Sequence, residues 1–260
     1  MKPMSDQMSW LKYTFEDHTG YLVAPWLAGA TKDWVCIRNS ASVPPWVDGD
    51  IHLHTDAEEY YFVFQGELRL LIDRVVLTLR PDEALLVRPH VPHSMVGGRG
   101  PSEHFVLRIP AYDDRETVGE VPPEVSLPVG ESERALQLNW GCRVSLTRTR
   151  FQNCWLFGVG QARFRSDHIC LAYLDLPTEQ SAHANWRSHP NQWHAHRESW
   201  EFYTVLVGKK TLRIDDELVE IEAGEILEVP PGVKHVPEAI ETPSQGFTFR
   251  APRPDDKVVA

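Results

Sequence analysis

Three histidines and a glutamate stand at metal-ligand spacing in the first half of the chain: His52, His54, Glu59 and His93. The same set returns in the second half as His194, His196, Glu201 and His235. Each residue lies 142 positions from its counterpart, since 194 − 52, 196 − 54, 201 − 59 and 235 − 93 agree, as does 208 − 66 for Gly66 and Gly208. A lone His-x-His is weak evidence, because histidines scatter over ordinary surfaces. A ligand set kept in step through two halves is strong evidence, and it weakens the competing reading of strand-capping histidines that satisfy buried carbonyls. Three imidazoles and one carboxylate suit Fe, Mn, Ni, Co or Zn, and an octahedral site leaves two positions for water, substrate or O₂. One divalent transition metal per half is the expectation.

The repeat runs well beyond these residues. Leu70, Ile72, Glu83, Leu85, Val87 and Val91 match Leu212, Ile214, Glu225, Leu227, Val229 and Val233, and Arg108, Asp113 and Asp114 match Arg250, Asp255 and Asp256. Upstream, Leu22, Asp33 and Cys36 match Leu156, Asp167 and Cys170 at an offset of 134, so about eight extra residues fall within 178–189 of the second half. Self-similarity over two units indicates one small domain, duplicated and fused. The expected bounds are 1–120 and 140–260, with the proline-rich and acidic stretch 121–139 as linker.

The elements that must position the ligands read as short strands. Glu67–Ile72 and Val75–Leu79 are leucine-rich or β-branched runs, and Lys210–Ile214 and Leu218–Glu222 alternate apolar and polar residues. Turn residues recur every eight to ten positions, which predicts antiparallel sandwiches or barrels. Alternation sends His52 and His54 to one face, about 6–7 Å apart along the strand. The turn Thr55–Glu58 then brings Glu59 back on a neighbouring strand. By the same parity Tyr61 and Tyr203 share the interior with the glutamates, where a phenol can transfer a proton or simply pack. Gln192 should also face inward, opposite Asp50 in the repeat. Trp193 has outward parity, and Trp186 is a candidate for an aromatic rim. His183 and His189 fall in the extra loop, and Arg108 and Arg250 are expected to pair with the aspartates that follow them.

Composition bounds the partners. A chain of 260 residues accommodates two domains, each large enough for its own core. A net charge of −11 argues against nucleic acid or an anionic membrane as partner through a general basic field. The first ten residues lack the apolar core of a signal peptide, and no run approaches a membrane span. The four cysteines form no CxxC pair, and Cys36 and Cys170 hold matching strand positions, which favours buried thiols. A cytoplasmic protein with a small-molecule substrate is expected, and association into a homo-oligomer is left open.

These motifs resemble those of the cupins, specifically the two-domain bicupins. The family's first motif, G-x5-H-x-H-x(3,4)-E-x6-G, is matched by His52, His54, Glu59 and Gly66 and by His194, His196, Glu201 and Gly208. Its second, G-x5-P-x-G-x2-H-x3-N, is matched in the second half by Gly224, Pro230, Gly232 and His235. The first half keeps His93 but has Asp82, Arg88 and His90 where glycine, proline and glycine are usual. Both halves lack the leading glycine and the late asparagine. Because three- and four-residue gaps both occur in the family, Glu58 competes with Glu59 as ligand; Glu59 is preferred, since the counterpart of Glu58 is Trp200. The resemblance implies an all-β chain of two tandem antiparallel β-barrels (jelly-roll sandwiches) from an internal duplication. It also implies metal binding, and is nearly silent on reaction. His90 either marks a turn without a left-handed residue or, with Arg88, meets an anionic or enolic substrate at the barrel mouth. Two function classes remain open. One is a metal-dependent enzyme on a small oxygenated organic molecule. Within it, likeness to bicupin dioxygenases and decarboxylases favours a dioxygenase over a redox-neutral isomerase, decarboxylase or lyase. The other is a non-catalytic metabolite-binding module.

Overall fold

A computed structural model describes side chains for residues 47–121 except 73, 74, 82 and 111–113, for 156–179 except 160, 161 and 163, and for 192–259. Five further or longer strands are described by backbone pairing: Leu11–Thr14, Gly20–Val23, Cys36–Ser42, Gly141–Ser145 and Cys154–Gly158. In chain order the first ten strands are β1 (Leu11–Thr14), β2 (Gly20–Val23), β3 (Cys36–Ser42), β4 (Asp50–His54), β5 (Glu58–Ile72), β6 (Val75–Leu79), β7 (Glu83–Val87), β8 (His93–Ile109), β9 (Arg115–Glu120) and β10 (Gly141–Ser145). The rest are β11 (Cys154–Gly158), β12 (Phe164–Arg165), β13 (Cys170–Leu176), β14 (His194–His196), β15 (Trp200–Ile214), β16 (Glu217–Glu222), β17 (Glu225–Val229), β18 (His235–Ala251) and β19 (Lys257–Val259).

Two compact units result, Asp17–Arg150 and the pair Met1–Glu16 with Phe151–Ala260. The order β10-β7-β5-β8-β3-β2 in one is repeated as β1-β17-β15-β18-β13-β11 in the other, with β12 added at the edge. These are the two tandem antiparallel curled sheets of the expected all-β fold. The units differ at both ends from the expected bounds 1–120 and 140–260. β1 pairs with β17 from Leu11↔Glu228 to Thr14↔Glu225, and β10 pairs with β7 from Gly141↔Val87 to Ser145↔Glu83. The unit built on Phe151–Ala260 is thus edged by β1 from before the other unit in sequence, and Asp17–Arg150 is edged by β10, which falls within the expected second domain. Such pairing satisfies an open sheet edge, and a longer connecting loop adds little entropic penalty. Of the expected linker 121–139, only Val121 is among the described residues.

Each unit carries its own apolar core, built from one face of the long strands. Tyr61, Val63, Leu68, Leu70, Ile72, Leu85 and Val106 form one, and Tyr203, Val205, Leu212, Ile214, Val219, Ile221 and Leu227 the other. The inward positions change from odd to even along β5 and β15 because bulges interrupt the ladder between Val63 and Glu67 and between Val205 and Lys209. Gly66 and Gly208 sit in those bulges at φ 73° and 79°. A Cβ there would lie 2.1 Å from the Pro101 carbonyl oxygen or 2.2 Å from that of Pro243. Only glycine fits either place. Cys170 is buried as a free thiol, and the side chains of the other three cysteines lie outside the described residues.

Candidate metal centres

Glu59 does not return on a strand paired with that of His52 and His54, as the short turn predicts; β4 and β5 instead both pair with β8. His93, at the start of β8, lies opposite His52 on one side and Ile72 on the other. His235 lies opposite His194 and Ile214 in the same way. One strand therefore gathers the set, and each group of four places its ligand-type atoms within 4.8 Å of one another. All eight side chains are buried. Both clusters, His52, His54, Glu59 and His93, and His194, His196, Glu201 and His235, have a composition and spacing that could hold a metal ion.

The second cluster is the more convergent. Nε2 of His194, His196 and His235 lie 3.3, 3.2 and 2.6 Å from Glu201 Oε2. The opposite ring nitrogens face acceptors: His194 Nδ1 is 2.9 Å from the Gln192 carbonyl, His196 Nδ1 3.1 Å from Asp256 Oδ1, and His235 Nδ1 3.0 Å from the Val233 carbonyl. An Nδ1–H committed to an acceptor leaves Nε2 as the lone-pair nitrogen of the neutral ring, which is the state a metal ligand requires. The donor set therefore fits a divalent metal. Burial pushes the Glu201 carboxyl up, but the three facing imidazoles outweigh it and hold the group well below the usual carboxylate range; a divalent cation would take the place of the Nε2 protons that this requires.

The first cluster departs at one ring. His54 Nδ1 meets Asp114 Oδ1 at 2.9 Å and His93 Nδ1 meets the Val91 carbonyl at 2.8 Å, as in the second. His52 Nδ1 instead lies 3.2 Å from Arg115 Nη2. A guanidinium only donates, so this Nδ1 accepts and the proton of a neutral ring sits on Nε2. Arg115 is itself held by Asp50 at 2.5 Å, and Asp50 also accepts from Thr117 at 2.5 Å. Burial and the neighbouring His93 push the His52 imidazole down to about 4, against the pull of Glu59. His93 Nε2 lies 2.9 Å from Glu59 Oε2 and His54 Nε2 3.5 Å from Glu59 Oε1.

The tyrosines lie where strand parity placed them. Tyr61 donates to Glu59 Oε2 at 2.5 Å and Tyr203 to Glu201 Oε2 at 2.9 Å. Burial, then the Glu201 charge, raises the Tyr203 hydroxyl well above its ordinary value. Glu58 is buried outside the cluster, accepting from Tyr60 at 2.6 Å.

Other expectations need correction. Gln192 is exposed, not inward, and contributes its backbone carbonyl to His194. His90 does adopt the left-handed conformation, at φ 63°, and its N–H donates to the His54 carbonyl at 2.7 Å just as Gly232 N–H does to His196. Its side chain is exposed, and Arg88 is half-buried. Asp114 and Asp256 turn to His54 and His196 and to the backbone N–H groups of Asp56, Ala57, Glu198 and Ser199, whereas Arg250 donates to the Pro254 carbonyl at 2.8 Å. The paired aspartates were legible in the repeat; their role as histidine anchors was not. Trp193 is half-buried, and Trp186, His183 and His189 lie outside the described residues.

Comparison with known proteins follows the same division. A family model described as a cupin domain matches residues 40–104 and 184–243. A search of curated sequences gave no significant match. Among solved structures, the chain is similar to the salicylate 1,2-dioxygenase of Pseudaminobacter salicylatoxidans, with a TM-score of 0.66 at 12% identity, covering 96% of this chain and 86% of that one. It is also similar to the oxalate decarboxylase of Bacillus subtilis, with a TM-score of 0.55 at 14% identity, covering 96% of this chain and 78% of that one. At such identities the likeness establishes fold alone.

Proposed function

The chain is a two-domain cupin, and from that premise we propose that it is a metal-dependent enzyme acting on a small oxygenated organic molecule, working at the second centre as a dioxygenase. The observation that supports this most is the second cluster, where three histidines are each anchored through Nδ1 and turned through Nε2 on Glu201. His194, His196, Glu201 and His235 would hold the metal, and His52, His54, Glu59 and His93 a second, weaker equivalent. When bound, Fe, Mn, Co, Ni or Zn supplies a Lewis acid, and iron in addition a platform for O₂.

The chain's own part is orientation and proton control. Asp256 and the carbonyls of Gln192 and Val233 fix the imidazole planes, so little reorganisation is left for the reaction step. Tyr203 keeps its proton at ordinary pH, with its hydroxyl oxygen 2.9 Å from Glu201 Oε2, where the proton can be given to a developing oxyanion. Tyr61 is the equivalent in the first unit. Arg88 is kept as a substrate contact of the first centre only; His90 and Gln192 are not, because their side chains are exposed.

Likeness to both a dioxygenase and a decarboxylase supports a second reading, redox-neutral decarboxylase, isomerase or lyase chemistry. Elemental analysis separates the two, on protein purified anaerobically without a metal-binding tag. Iron, with O₂ uptake on substrate addition, is the expected outcome. Manganese, nickel or zinc with substrate turnover and no O₂ uptake would replace the dioxygenase by the redox-neutral reading.

A further inference from the structure

One buried cation has no role in the two clusters. Lys210, on β15, is 4% exposed, a state lysine rarely adopts unless paired. It faces the interior because the bulges around Gly208 shift the strand's parity, and it lies opposite Ile221 on β16 and Ile240 on β18. Its ammonium is 5.2 Å from the centroid of the Tyr203 ring. That ring donates its hydroxyl to Glu201 and meets His235 edge-on, at 6.0 Å between centroids. Among the described residues no hydrogen bond or ion pair is made by the ammonium, and Glu201 is the charge that offsets its burial. Burial pushes the amine down to about 8. The counterpart of Lys210 in the first unit is Leu68, fully buried in the core.

Glu201 acts on this ammonium only at a distance, and a buried ammonium with no anion in direct contact is strongly unfavourable, so a fold retains one where a ligand completes it. The charge balance sharpens this. A divalent ion with Glu201 leaves one positive charge in the cluster, and Lys210 adds a second behind Tyr203. We propose that Lys210 is the anion-binding residue of the second centre and holds the carboxylate of a small organic acid. This rests on the reading of the second cluster as a metal site. A carboxylate matches one ammonium with its three donors. A phosphate dianion brings more acceptor oxygens than the apolar neighbours Ile221 and Ile240 can satisfy. The subsite has no equivalent at the first centre, where Leu68 offers no charge.

The test titrates acetate, and separately inorganic phosphate, into the full chain loaded with cobalt(II), following the visible absorption of the ion. Parent and Lys210→Met are compared, with cobalt content measured on each. Acetate should perturb the parent spectrum, and Lys210→Met should keep its cobalt while binding acetate about 10-fold or more weakly, as expected on losing a charged hydrogen bond. Equal acetate affinity in both proteins, no acetate binding to the parent, or phosphate binding more tightly than acetate overturns the subsite. Failure of the parent to hold cobalt overturns the metal reading, and the subsite falls with it. Lys210→Gln repeats the comparison should the methionine variant not fold.

Discussion

The two centres share a backbone register and a ligand set, yet differ in what stands behind the ligands. In the second, all three imidazoles lean on acceptors: a side-chain carboxylate for His196 and carbonyls for His194 and His235. In the first, two do, and the third faces the Arg115 guanidinium. At the positions of Arg115 and Asp50 the second unit has the exposed Lys257 and Gln192, and the first has Leu68 where the second buries Lys210. Duplication preserved the atoms that would touch a metal. Divergence acted one layer out, on ring tautomer and local charge, which is enough to turn one ancestral site into two unlike ones.

The largest effect expected from that difference is on stability. In the metal-free protein the Lys210 amine is lowered from 10.5 to about 8 by burial. Between those values the unfolded chain binds more protons than the folded one, so this group makes stability rise with pH across that window. Its full penalty, about 3 kcal/mol, applies below pH 8. Lys210→Met should therefore be more stable than the parent at neutral pH and lose most of the rise toward pH 10, measured by urea unfolding of apoprotein. A parent whose stability is flat from pH 8 to 10 would show that the ammonium is well solvated.

On the rate, Tyr203→Phe should leave metal content intact and reduce turnover about 100-fold if its hydroxyl transfers a proton in the slow step. Under the proposal that the second centre is the working one, Tyr61→Phe should change turnover far less. Equal losses in the two variants would erase the functional distinction between the units.

The smallest expected change is a gain. Arg115→Met frees His52 Nδ1 from its donor, so the first centre should bind cobalt about 10-fold more tightly, within the range that second-layer contacts command. An unchanged affinity, measured by competition with a coloured chelator, would show that Arg115 does not set the His52 tautomer.

What the sequence revealed follows the physics of each feature. The ligands were legible because the repeat carries all four, and the strand fold because apolar periodicity and turn spacing are local signals. Lys210 was not legible: simple alternation from Tyr203 puts Lys209 inward and Lys210 outward, and the bulges at Gly208 reverse them. The exchange of β1 and β10 between units was equally hidden, since a strand's own residues do not name its partner. Gln192 misled for a related reason, because alternation along β14 does not extend two residues before His194. Asp114 and Asp256 stood in step with the repeat, but only geometry shows that they grip histidines rather than arginines.

We propose that both clusters bind metal and that the second binds it more tightly. Elemental analysis of the untagged parent against His194→Ala/His196→Ala and His52→Ala/His54→Ala tests it most directly, each protein having been dialysed against a weak chelator before measurement. The second-unit variant should lose the tightly held equivalent, whereas the first-unit variant should keep it. A second-unit variant that retained the full metal content of the parent would contradict it.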